Sequence, residues 1–181
     1  MLDQLTVLKR LAGRLEAAGI AHMVAGSIAA SHYGRPRMTR DADLVVELQP
    51  EDAGRLEAIL GGEFMRNPAG MREAIRCRGM FNVIHTQAMI KVDFVLLKSD
   101  AYRMAEVERR RRVRVDAIEL WMLTPEDLVL SKLPWAKESR SEPQLNDVRS
   151  VLRIQHGAID WPYLEGWAER LSVASLLQEV R

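Results

Sequence analysis

Apolar residues at Leu2, Leu5, Leu8, Leu11, Leu15 and Ala18 recur every three or four positions, with Lys9, Arg10, Arg14 and Glu16 between them. That spacing predicts an amphipathic helix ending near Gly19. The short apolar run HMVAG at 22–26 predicts a strand, and Ser27 to Tyr33 a short helix closed at Gly34. RPRMTR at 35–40 is a basic loop, and DADLVVEL at 41–48 reads as a second strand. Pro50-Glu51 opens a helix that runs through Leu56 and Ile59 to the Gly61-Gly62 stop. Two β-rich runs follow, MFNVIHT at 80–86 and MIKVDFVLL at 89–97. The two residues between them predict an antiparallel hairpin. A charged helix over 100–110 leads to a strand from Val113 to Met122. Thr124-Pro125-Glu126-Asp127 then combines a hydroxyl cap, a first-turn proline and acids at the positive end of a helix dipole. From Glu142 onward the pattern is helical, through Val148, Val151, Leu152 and Ile154 and then Tyr163, Leu164, Trp167, Leu171, Leu176 and Leu177.

This order of elements predicts an α+β fold: a mixed β-sheet made mainly from residues 20–122, flanking helices, and a C-terminal helical cap. SRSEP at 139–143 is the best candidate boundary. It divides a core with its N-terminal helix, residues 1–138, from a cap at 139–181, or it is a loop between two helices of the same domain.

Composition narrows the function classes. The chain has 181 residues, 48% hydrophobic and 28% charged, enough for one compact interior. A formal net charge of +1 gives no global electrostatic case for nucleic acid, so a polyanion site must come from local placement of charge. A lone cysteine, Cys77, excludes an internal disulfide, suits a reducing compartment, and reads as an inert, half-buried thiol. No apolar run approaches the roughly 20 residues that span a bilayer. The start, MLDQLTVLKR, is charged and amphipathic, unlike a signal peptide. A soluble cytoplasmic protein without membrane contact is expected.

The chemistry concentrates in three acids. Asp41 and Asp43 stand two apart on a strand, so both side chains emerge on one face, with Val45 continuing it. Adjacent carboxylates repel, and such a pair is tolerated at a solvated strand end or where a divalent cation neutralises it. Oxygen-only ligands suit Mg²⁺ or Mn²⁺. Asp93 interrupts the apolar run VDFVLL and would complete a three-carboxylate site if its strand neighbours the first. Such a site can hold two ions about 3.5–4 Å apart. Upstream, Ala25-Gly26-Ser27 marks a strand-to-helix turn, where glycine permits close backbone approach and free amides face a phosphate.

AGSIAASHYGRPRMTRDADLVV followed by IKVDFVLL resembles the polymerase-β-type nucleotidyltransferase superfamily. Arg37-x-Thr39-x-Asp41-x-Asp43 is closer to its AbiEii/MenT-type branch of toxin–antitoxin and phage-defence systems, in which a later Pro-Glu helix carries a lysine and a further aspartate follows. TPEDLVLSK supplies Pro125, Glu126 and Lys132, and QLNDV supplies Asp147. The resemblance covers about residues 20–155. It implies a nucleotidyltransferase-like fold and Mg²⁺-dependent transfer of a nucleoside monophosphate from an NTP to a hydroxyl. Asp41 and Asp43 would bind two metal ions; Asp93 would bind the catalytic one and help deprotonate the acceptor. Gly26 and Ser27 would grip the terminal phosphates, Arg37 would guide them, Lys132 would offset their charge, and Asp147 would position Lys132 or the acceptor. The implied partners are an NTP, an acceptor (an RNA or tRNA 3′ end, a protein hydroxyl or a small molecule), and a cognate antitoxin. The part of the sequence after the site is short, so no large acceptor-binding domain is expected in it, which leaves the acceptor open.

Plainer readings stand beside these. Asp41 and Asp43 can cap a turn or meet Arg37 and Arg40; Asp93 can pair with Lys91 or an arginine; Lys132 and Asp147 can lie on exposed helix faces. Arg35, Arg37 and Arg40 can form a solvated loop. The run Arg109 to Arg112, with Arg114, fits a helix-to-strand junction or an RNA backbone contact. His22, His32, His85 and His156 show no ligand spacing. Trp121, Trp135, Trp161 and Trp167 read as packing residues, though Trp135, three positions after Lys132, also suits base stacking. A non-catalytic nucleotide- or RNA-binding module, or a toxin–antitoxin interaction subunit, is the rival to the enzyme.

Overall fold

In a computed structural model, residues 3–39 and 41–181 are described; Leu2 and Arg40 lie outside the described residues. The first helix, α1 (Gln4–Ala17), is capped by Asp3, whose carboxylate accepts from the Thr6 N–H at 2.7 Å. Its apolar stripe buries Val7, Leu8, Leu11, Ala12 and Leu15 against the sheet. Among the described residues seven strands follow: β1 (His22–Ala25), β2 (Asp41–Val46), β3 (Phe64–Met65), β4 (Met80–His85), β5 (Ile90–Leu96), β6 (Arg111–Val115) and β7 (Ile118–Met122). They form one mixed sheet in the order β3-β4-β5-β2-β1-β7-β6. The β4–β5 hairpin is antiparallel, β2 runs antiparallel to β1, and β2 and β5 are parallel.

The remaining helices are α2 (Gly26–Tyr33), α3 (Ala53–Leu60) behind a single 3₁₀ turn at Pro50–Asp52, α4 (Pro68–Arg76), α5 (Ala101–Arg109), α6 (Pro125–Ser139), α7 (Glu142–Gln155), α8 (Trp161–Arg170) and α9 (Ala174–Val180). Central strand β2 buries Ala42, Leu44 and Val46 fully, while Asp41 at its start stays exposed. Polarity is thereby confined to the sheet edge where β1 ends and β2 and β5 begin.

Two stretches differ from the sequence expectation. The strand expected over 113–122 is two strands, because Asp116 adopts φ 54° and folds the chain into the β6–β7 hairpin. An aspartate tolerates this left-handed conformation better than most residues. Between residues 63 and 79, where no element was expected, lie β3 and α4. Asn67 caps α4, its side chain accepting from the Gly70 N–H, and Pro68 occupies the first turn.

The C-terminal helices share the hydrophobic core of the sheet: Val148, Leu152, Leu164 and Leu177 belong to the cluster that contains Leu44 and Phe94. A buried polar knot at the start of α6 fastens them. Asp127 accepts from Thr124 Oγ1 at 2.6 Å and from Tyr163 Oη at 2.7 Å, and Glu126 accepts from the Asp160 N–H at 2.9 Å. Among the described residues no helix is long and apolar enough to cross a membrane.

Candidate active site

The parallel pairing of β2 and β5 sets Asp43 directly opposite Asp93, and Asp41 opposite Lys91. With a side-chain period of two, all four residues project from one face of the sheet. The third acid therefore shares the face of the other two, the strand neighbourhood on which the sequence reading of a three-carboxylate site depends. Lys91 Nζ bridges the acids, 2.8 Å from Asp93 Oδ2 and 3.8 Å from Asp41 Oδ2. The plainer reading of Asp93, a salt bridge with Lys91, is thus present alongside the shared face. Hydrogen bonding to Asp93 raises the Lys91 pKa against a smaller opposing effect of burial.

Asp43 lies against the turn between β1 and α2. Gly26 holds φ 57°, and a Cβ built there would fall 1.8 Å from Asp43 Oδ2, so only glycine lets the carboxylate lie on the turn. Burial pushes the Asp43 pKa up, the Asp93 charge adds to the rise, and the Ser27 backbone hydrogen bond works against it. The cap residue of α2, Ala25, offers no side-chain hydrogen bond, and of the first-turn amides that of Ser27 is already taken by Asp43.

Lys132 does not lie on an exposed face. It is buried on α6, with Nζ 2.7 Å from Gln144 Oε1 and 3.0 Å from Asp147 Oδ2. Asp147, on α7, is largely covered too and accepts from Arg37 Nη2 at 3.1 Å. Burial opposes the Asp147 charge, but the hydrogen bonds from Arg37 and Lys132 outweigh it and the pKa is lowered. Arg37, Asp147 and Lys132, with Arg37 and Asp147 110 positions apart in sequence, thus form one contact chain.

A pocket of about 280 Å³ opens where these elements meet, lined by Gly26, Ser27, Asp43, Val45, Val95, Lys132 and Gln144. Met80 and Trp135 stand at it half exposed, two large apolar side chains without a covering partner. Arg103 and Glu106 of α5 also line it, and sequence reasoning missed both. Both Glu106 oxygens accept from Arg103 Nη1, at 2.9 and 2.8 Å. Burial dominates over this pairing and pushes the Glu106 carboxyl up to about 7. The one available signal was an acid at the apolar spacing of Tyr102, Glu106 and Val107, which reads as an ordinary charged helix.

The arginine run is largely engaged within the fold. Arg109 sits 3.8 Å over the Tyr163 ring and 3.4 Å from Glu126; Arg110 donates to the Val107 carbonyl at 2.6 Å; Arg112 pairs with Glu16 and stacks on Trp121. This favours the junction reading. A second basic surface replaces it: a cleft of about 830 Å³ beside Asp147, lined by Arg35, Arg37, Arg149, Arg153, Arg181 and His156 against only Asp147 and Glu179. His22 and His85 are buried, and Nδ1 of each engages local backbone. Cys77, expected half-buried, is exposed at the end of α4.

The donor chemistry suits a hard divalent cation: three oxygen-only acids on one face, one of them held against a glycine turn. Among the described residues, no three acidic, histidine or cysteine side chains gather closely enough to hold an ion as they stand. Lys91 lies among the acids instead.

No protein-family model matches the chain, and no curated protein matches it in sequence. Solved structures do match. The solution structure of the antibiotic-resistance factor ANT(2'')-Ia superposes with TM-score 0.63 at 19% identity, over 97% of this chain and 96% of that one. A nucleotidyltransferase-like protein from Paracoccidioides brasiliensis gives TM-score 0.62 at 15% identity, over 96% and 87%. The lincosamide antibiotic adenylyltransferase LnuA, bound to lincomycin, gives 0.51 at 11% identity, over 81% and 95%.

Proposed function

We propose that this chain, whose fold is that of the polymerase-β-type nucleotidyltransferases, transfers a nucleoside monophosphate from an NTP to a hydroxyl acceptor, releasing pyrophosphate. The observation that carries this reading is Asp43, set opposite Asp93 and pressed against the Gly26 turn in a pocket that Lys132 enters. Two Mg²⁺ or Mn²⁺ ions, held by Asp41, Asp43 and Asp93, would neutralise the phosphates and lower the pKa of the attacking hydroxyl.

The chain's own groups do the rest. The Gly26 turn at the start of α2 and the Ser27 hydroxyl grip the terminal phosphates. Lys132, fixed by Gln144 and Asp147, offsets triphosphate charge from a defined position, so the gain comes from placement rather than from new chemistry. Asp93 takes the acceptor proton on a carboxylate oxygen. Trp135 and Met80 offer apolar faces at the pocket mouth for a nucleobase.

The arginine-lined cleft favours a polyanionic acceptor, an RNA or tRNA end, over a protein hydroxyl or a polycationic aminoglycoside, since arginine binds phosphate and repels ammonium groups. The contact chain Arg37–Asp147–Lys132 supports the AbiEii/MenT-type branch, toxin-like and with a cognate antitoxin as regulatory partner. The test is incubation with each α-labelled NTP, Mg²⁺, and total RNA, protein or aminoglycoside. Label enters RNA, and Asp43→Ala abolishes it. Binding of NTP without transfer to any acceptor would leave only a nucleotide-binding module.

A further inference from the structure

Lys91 occupies an unusual place for a cation. It projects from β5 on the same face as Asp93, directly across from Asp41, and its ammonium touches both. Asp43, the third acid, is left to the Ser27 amide. Among the described residues Lys91 is thus the one cation paired with Asp41 and Asp93, on a flexible four-carbon stem, at the location where the proposed reaction requires divalent charge. Its side chain is 38% exposed, so it can leave toward solvent without disturbing the core.

We infer that Lys91 is a built-in, displaceable stand-in for metal. In the resting protein its ammonium holds Asp41 and Asp93 in place; it must swing out before a divalent ion can sit between them. This inference rests on the function proposed above and adds to it. With Lys91 paired to Asp41 and Asp93, and the Lys132 charge acting on Asp43, the acids are a weak lure for a free ion that must also displace the lysine. An arriving triphosphate supplies both further oxygen ligands and an anionic destination for the released ammonium. The ions are therefore taken up together with the nucleotide, not before it. Lys91 acts as a positioning residue, working through the acids it touches.

The experiment titrates Mn²⁺, followed by electron paramagnetic resonance, into wild type, Lys91→Met, Lys91→Gln and Lys91→Arg, each with and without a non-hydrolysable NTP. Melting temperatures are recorded in chelator. Without nucleotide, both neutral variants should bind Mn²⁺ about tenfold tighter than wild type, the size of effect that a unit charge a few Å away has on a carboxylate. Lys91→Arg should remain as weak as wild type. In chelator the neutral variants should melt lower, and Mn²⁺ should restore them. The inference is overturned if the neutral variants bind Mn²⁺ no tighter than wild type while wild type binds it with nucleotide, or if Lys91→Arg binds as tightly as Lys91→Met. Absence of Mn²⁺ uptake by every form, with nucleotide present, would overturn the proposed function as well.

Discussion

Gly26 concentrates the demands of the site in one residue. Its positive φ and the 1.8 Å approach to Asp43 leave no room for a methyl group. Gly26→Ala should lower transfer at least about a hundredfold and destabilise the fold by about 1–3 kcal/mol, read from initial rates and urea denaturation. Glu106 makes a separate prediction. Its folded pKa of about 7 lies above the ordinary value of 4.5, so folding favours the protonated form. The stability this contributes is complete below about pH 4.5 and is lost as pH rises toward 7, at up to about 1.4 kcal/mol per unit. Glu106→Gln should flatten that fall in melting temperature between pH 5 and 7 relative to wild type. An unchanged slope would show that Glu106 is ionised throughout. Asp41, Asp43 and Asp93 were legible because acids in apolar strands demand a partner. Glu106 was not, because an acid on a charged helix demands nothing until the helix is packed.

At the scale of elements, the parallel register of β2 and β5 makes the site and the α6–α7 joint completes it. Alternation along each strand assigned the shared face, but no local signal fixed the register that matches Asp43 with Asp93 rather than with Lys91. The joint was legible only through resemblance: helix periodicity leaves Lys132 and Asp147 as surface charges, and it is the packing of α7 on α6 that buries them together. Asp147→Ala removes the anchor of both Lys132 and Arg37. It should cut transfer by about ten- to a hundredfold and, because Lys132 is left buried without its counter-ion, lower the melting temperature by roughly 5–15 °C without abolishing folding. A loss of activity matched by global unfolding would instead make Asp147 a structural residue. The β6–β7 hairpin and α4 escaped sequence reading because Asp116 and Asn67 encode them in single turn and cap positions, with no change of hydrophobic period.

For the molecule as a whole, a net charge of +1 conceals a divided surface. The sequence pointed to Arg109–Arg112 as the basic feature, yet aromatic rings and buried acids consume most of that run. The arginines that line the large cleft instead come from the loop after α2, from α7 and from the C-terminus, segments that only the fold unites, and three of them, Arg37, Arg149 and Arg181, also pair with acids. The mixed sheet, its flanking helices and the C-terminal helices were readable from periodicity; the charge map was not, because it depends on which cations find internal partners. The central claim is that the face shared by Asp41, Asp43 and Asp93 holds divalent ions against a triphosphate. Anomalous diffraction from a crystal grown with Mn²⁺ and a non-hydrolysable NTP tests it most directly. The account predicts two peaks about 3.5–4 Å apart, bonded to these three acids and to phosphate oxygens, with Lys91 moved away. Nucleotide bound elsewhere, or bound here with Lys91 still bridging Asp41 and Asp93 and no metal among them, would contradict it.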